Sequence, residues 1–194
     1  MKLINERQLE IINAALDIIA DHGIQRLTVK NLARSLKVSE PALYRHFKSK
    51  YDIILSILVL YNQVFMELFD RKAEKDRTTF DKISSLYGAM FRRFVERPAL
   101  STVIFSEELF RYEKRLSVEV IAIIEMTHDR IFAILRDGAR RGEIRSDIPS
   151  KQIAWMVMGT MRLLITKWRI SGYSLNLIRE GQQMLTWIRK LIEA

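Results

Sequence analysis

The sequence predicts an all-α protein, and three observations predict it. Apolar residues recur every three or four positions almost throughout, the alternation typical of strands is scarce, and only three prolines and seven glycines interrupt 194 residues. With 48% hydrophobic residues the chain can bury a substantial core. About nine helices are expected.

The first helix should run from about Asn5 to Asp21, burying Ile12, Ala15, Leu16 and Ile19 as one stripe, and Gly23 supplies its left-handed stop. Thr28 caps a short second helix that ends near Leu36, with Leu32 and Leu36 facing inward. Lys37 and Val38 make a turn, Ser39 caps again, and Pro41 falls in the first turn of a third helix, where a missing N–H costs little. Leu43 and Phe47 point inward there. Ser49 with Asp52 resembles a capping box opening a long fourth helix, whose face Ile54, Leu58, Tyr61, Phe65 and Leu68 runs to about Arg71.

The polar stretch from Arg71 to Thr79 reads as a linker. A fifth helix with Ile83, Tyr87, Met90 and Phe94 in register stops near Arg97, because the residue before Pro98 resists helical geometry. A sixth spans Leu100 to about Phe110, and a seventh spans Glu113 to Arg141, closed by Gly142. The eighth carries Ile153, Val157, Met161, Leu164 and Trp168, and the ninth, from Leu175 to the end, carries Leu177, Gly181, Met184, Ile188 and Leu191.

Charge points to an anionic partner. Lys and Arg number 32 against 23 Asp and Glu, a net +9. Between Arg26 and Lys50 seven basic residues face one acid, Glu40, so +6 of that total falls in twenty-five residues. The second and third helices, joined tightly and braced by the first, make a helix-turn-helix, whose second helix enters the DNA major groove. Ser39 and the first-turn N–H groups suit a phosphate, Glu40, Pro41, Ala42 and Arg45 are placed for base edges, and Tyr44, His46, Lys48 and Lys50 suit flanking phosphates.

The run GIQRLTVKNLARSLKVSEPALYRHFKSK, from Gly23 to Lys50, resembles the N-terminal motif of the TetR family of bacterial transcriptional repressors. The likeness lies in T-V-x-x-L-A, V-S-x-x-x-L-Y-x-H-F and S-K in fixed order and spacing over about a quarter of the chain. It implies a DNA-binding domain over residues 1–48 and a ligand-binding and dimerisation domain over 49–194, and a ligand-responsive repressor that binds a palindromic operator on double-stranded DNA as a dimer. It also implies that Thr28, Tyr44, His46 and Lys50 grip phosphates and that Lys30, Glu40, Pro41 and Ala42 lie near bases, with Arg45 in either role. One departure stands out: the family usually has glycine in the turn, where this chain has Lys37. A lysine takes φ > 0 at a cost of roughly 1 kcal/mol, and meeting a phosphate would offset it.

The resemblance further implies homodimerisation through the last two helices; the sequence is compatible with it, Gly159 and Gly181 allowing close approach and Trp155, Trp168 and Trp187 supplying buried area, and the alternative is that these faces close the monomer's own core. It suggests a largely apolar small-molecule effector in a pocket among Phe65, Phe69, Met90, Phe94, Phe105, Met126 and Met158, residues that serve equally as ordinary core. A family DNA binder regulated by a protein partner, or acting on the nucleoid without a small molecule, is the alternative. His128 reads as solvated or singly paired.

Other classes find little support. With no cysteine there are no disulfides or thiolate sites, and no metal or cofactor site is expected. No G-x-S-x-G, no H-E-x-x-H and no phosphate-cradling glycine loop occurs, so no catalytic residue is assigned. The apolar runs fall short of the roughly 18 residues a membrane span needs, and a cytoplasmic protein is expected.

Overall fold

The computed structural model describes residues 4–71 and 77–194, excluding the side chains of 68–71, 108 and 112. The regular elements among the described residues are helices, with an isolated bridge between Ile144 and Glu193 as their one β-type pairing. The all-α expectation holds. Residues 72–76 of the expected linker, and the side chains of Leu68 and Phe69, lie outside the described residues.

The chain divides into two compact units, Met1–Asn62 with Arg97–Val120, and Gln63–Glu96 with Ile121–Ala194. In the first unit, α1 (Glu6–His22) opens with Asn5, whose side chain accepts from the Gln8 N–H while the Gln8 side chain accepts from the Asn5 N–H. It buries Ile11, Ile12, Ala15, Leu16 and Ile19 and ends at Gly23, φ 80°. A 3₁₀ turn, Ile24–Arg26, leads to α2 (Val29–Ser35) and α3 (Glu40–Tyr44), which packs on α2. The α4 helix (Lys50–Arg71) follows Ser49, whose hydroxyl accepts from the Asp52 N–H at 3.3 Å. The expected capping box is therefore one-sided, because the Asp52 carboxylate is held elsewhere, by Arg115 at 2.8 Å.

The helix expected over Leu100–Phe110 is two, α6 (Pro98–Ile104) and α7 (Glu107–Tyr112). The break comes where the Ser106 N–H turns to the Val103 carbonyl at 3.3 Å and the helical ladder tightens and stops. The α6 helix packs on α1, and Arg97 Nη1 donates to Asn13 Oδ1 at 2.7 Å. The α8 helix (Lys114–Arg140) begins in this unit.

In the second unit, α5 (Thr79–Glu96) buries Ile83, Leu86, Tyr87, Met90, Phe91 and Phe94. It packs on α10 (Leu177–Ile192), which in turn packs on α9 (Ser150–Ile170). Two expectations are corrected here. Gly181 serves a contact within the chain, since a Cβ at this position would overlap the Phe91 ring. Trp168 is buried in its own unit, edge-on to Tyr173, and so adds no outward area. Gly159 faces open space, and Trp155 and Trp187 are exposed. His128 is also unlike its expectation: it is 3% exposed, stacks on Trp155, and has Asp129 Oδ1 and the Lys151 carbonyl each 3.3 Å from a ring nitrogen.

Candidate nucleic-acid interface

The candidate surface is assembled by local hydrogen bonds. Thr28 Oγ1 accepts from the Asn31 N–H at 3.1 Å, starting α2, and Asn31 Nδ2 reaches back to the Arg26 carbonyl at 2.8 Å. At its end the Lys37 N–H bonds the Arg34 carbonyl at 3.2 Å and the Val38 N–H bonds the Ala33 carbonyl at 3.0 Å. This paired closure requires a left-handed residue between helix and exit strand of chain, and Lys37 takes it with φ 54°. The turn thus has the shape glycine normally permits, and it is lysine that is strained.

Ser39 Oγ accepts from the Ala42 N–H at 3.4 Å, and Pro41 has no N–H to give. The anion-attracting capacity of the α3 start therefore falls to the Ser39 hydroxyl and the Glu40 N–H. Leu43 and Phe47 are buried, anchoring the helix, while Gln8 Nε2 donates to the His46 carbonyl at 3.4 Å and ties its exit to α1.

Around this anchor Thr28, Lys30, Lys37, Ser39, Glu40, Pro41, Tyr44, Arg45 and Lys48 are exposed, and Ala42, His46 and Lys50 are half-buried. The Lys50 ammonium lies 5.3 Å from the Tyr51 ring centroid. Among the described residues, the side chains of Lys30, Arg34, Lys37, Arg45 and Lys48 have no hydrogen-bond or ion-pair partner. Several arginines of the second unit are instead paired with acids. Arg140 and Arg141 both bind Asp137, Arg145 binds Asp147, and Arg189 binds Glu193.

The residues expected to line a pocket fall in both units. Phe65, Met90 and Phe94 are buried in the second unit, where Met158 is half-buried and Met126 is exposed. Phe105 is half-buried and belongs to the first unit. Sequence reasoning missed two polar features of α4: burial pushes the Tyr61 phenol well above its ordinary value, and Asn62 Oδ1 is buried without a hydrogen-bond partner. It also missed Arg97 and Arg115, whose partners lie far away in the chain. Among the described residues no group of three His, Asp or Glu is placed to hold a metal, and no helix is long and apolar enough to cross a membrane.

Comparison with known proteins gives the same motif a wider context. Residues 11–57 match the family model described as "Bacterial regulatory proteins, tetR family", and residues 61–190 match "YsiA-like protein, C-terminal region". The chain is 23% identical over 185 residues to the "Fatty acid metabolism regulator protein" of Bacillus subtilis, covering 95% of each chain. It is 27% identical over 170 residues to the "Nucleoid occlusion factor SlmA" of Vibrio cholerae, covering 84% of this chain and 86% of that one. The fold matches the regulator FadR from Bacillus subtilis, solved with stearoyl-CoA, at a TM-score of 0.76 and 22% identity, covering 93% of this chain and 96% of that chain.

Proposed function

The chain belongs to the TetR family of bacterial transcriptional regulators, and on that basis we propose that it is a ligand-responsive repressor binding a two-fold-symmetric operator as a homodimer. One observation carries the DNA-binding part: Lys30 and Arg34 of α2, Lys37 of the turn, and Arg45 and Lys48 just after α3 stand exposed, with no acid partner among the described residues. Unpaired cations on one face release counterions from a phosphate backbone and so gain affinity that falls with salt. In this reading Thr28, Lys37, Ser39, Tyr44, His46, Lys48 and Lys50 hold phosphates, Lys30, Glu40, Pro41 and Ala42 meet bases, and Arg45 reads a base.

Two outward apolar stripes support the dimer. Trp155, Met156, Leu163 and Ile170 on α9, and Trp187 and Leu191 on α10, are all exposed in the single chain. Large exposed apolar residues grouped on adjacent helices mark a surface made for burial. A two-fold dimer presents two α3 helices to half-sites about 34 Å apart.

For the effector we propose a long-chain acyl-CoA, the class suggested by the fatty acid regulator and the stearoyl-CoA complex among the relatives. Its apolar chain suits the aromatic and methionine side chains around Phe65, Met90 and Phe94. The ligand acts only by binding the released form more tightly than the DNA-bound form. A second reading, a DNA binder that acts on the nucleoid without a small-molecule effector, is favoured by the likeness to the nucleoid occlusion factor.

Selection of genomic fragments followed by titration with and without stearoyl-CoA tests both. The proposed function expects a few palindromic sites whose affinity drops at least about tenfold with the thioester. Tight thioester binding that leaves operator affinity unchanged would sink the ligand-responsive reading. Many sites spread along the chromosome, indifferent to acyl-CoA, would favour the second.

A further inference from the structure

The segment from Arg97 to Val120 is remote in sequence from the helix-turn-helix yet belongs to the same compact unit. Two arginines fasten it there. Arg97 holds Asn13 on α1, and Arg115, in the first turn of α8, holds Asp52 in the first turn of α4. Arg115 is itself aimed by Glu113, whose Oε1 accepts from the Arg115 Nε at 3.0 Å and from its backbone N–H at 3.3 Å. That hydrogen bond holds the Glu113 carboxyl below its usual range and the guanidinium above its own.

Asp52 occupies a sensitive place. It stands two residues after Lys50 and four after Lys48, at the start of the helix that carries the chain out of the helix-turn-helix. An acid at a helix start ordinarily turns back to cap it, but here the Ser49 hydroxyl caps alone and the Asp52 carboxylate points to Arg115. The Asp52 side chain is 22% exposed and that of Arg115 55%, so the pair is shielded mainly on the acid's side.

We propose that Arg115 is a positioning residue for DNA binding: by gripping Asp52 it sets the first turn of α4 and thereby places Lys48 and Lys50 against the phosphates. It need not touch DNA itself. The proposal rests on the DNA-binding reading above and adds to it a control point outside the helix-turn-helix.

Simple charge and positioning make opposite predictions for Asp52. Removing a negative charge beside phosphate-binding lysines should tighten binding if only Coulomb attraction matters. If the carboxylate positions the lysines through Arg115, its loss should weaken operator binding. The experiment is a double-mutant cycle in the full chain, using Asp52→Ala, Arg115→Ala and the pair, with fluorescence anisotropy on a genomic fragment selected by the wild type. Each single variant is expected to lose about three- to fivefold in operator affinity, the range of a partly exposed ion pair. The double variant should lose no more than Arg115→Ala alone.

Thermal midpoints check folding, and hydrogen exchange of the amides from Lys48 to Ile54 should speed up in Arg115→Ala while that of α1 stays unchanged. Tighter or unaltered operator binding by Asp52→Ala, or losses that multiply in the pair, would overturn the proposal while leaving the DNA-binding reading intact. A wild type that prefers no fragment would overturn both.

Discussion

Glu143 Oε2 accepts the backbone N–H of Thr79 at 2.6 Å, so a carboxylate from the loop after α8 caps the start of α5 sixty-four residues away in sequence. Its other oxygen accepts from Arg141 Nε, also at 2.6 Å. The Arg141 bond first, and the Thr79 bond second, hold the carboxyl down to about 2. A depressed folded value means stability that is complete above the unfolded value of about 4.3 and lost as pH falls towards 2. Glu143→Gln should therefore destabilise the protein by about 1 kcal/mol at neutral pH, the size of a lost charged cap. The gap between variant and wild type in urea melts should close between pH 4.5 and about 2. An equal gap at every pH would assign the effect to packing.

The α5–α10 crossing is set by Gly181. A Cβ there would overlap Phe91 Cε2 and lie 2.9 Å from its Cζ, and Phe91 is fully buried. Gly181→Ala gains helix propensity but should lose about 1–3 kcal/mol net through overpacking. Gly159→Ala, facing open space, should gain up to about 1 kcal/mol from propensity in the isolated chain. Thermal melts of the two variants should move in opposite directions.

At Lys37 stability and DNA affinity should part company. The residue sits at φ 54°, where glycine carries no steric penalty, so Lys37→Gly should raise stability by about 0.5–1 kcal/mol. If the ammonium also meets a phosphate, the same substitution lowers the slope of log affinity against log salt by about one unit. Higher melting temperature with a shallower salt slope is the expected pair of results. An unchanged slope would remove Lys37 from the phosphate contacts.

The contrast between what local chemistry reveals and what it hides runs along these examples. The caps at Thr28, Ser39 and Ser49 and the stop at Gly23 were legible because each bonds within a few residues of itself, and helical period exposed the buried stripe of α1. The exposed cations of the helix-turn-helix were legible for the same reason, as charge density within one short stretch. The break at Phe105 was not, since nothing in that apolar run interrupts the period. Asp52 reads in sequence as half of a capping box because its partner, Arg115, comes from sixty-three residues on. His128 looked solvated because Trp155, which covers it, belongs to the next helix. On α10 the period alone merged two faces: Gly181 and Ile188 turn inward, while Leu191 turns outward beside Trp187.

That outward face yields the last prediction. Leu163 on α9 is 70% exposed in the single chain, so a polar residue there costs the fold little. Placed at the centre of a two-fold interface, however, Leu163→Arg brings two buried guanidinium groups together without partners, which costs far more than a surface charge. Sedimentation velocity should show the wild type as a dimer and the variant as a monomer. The wild-type melting temperature should rise with protein concentration, and that of the variant should not. Operator affinity should fall by about 100-fold or more, because the second reading head no longer arrives at high effective concentration. A variant that remains dimeric at all concentrations would place the interface elsewhere, and a monomer with undiminished affinity would show that one α3 helix suffices for recognition.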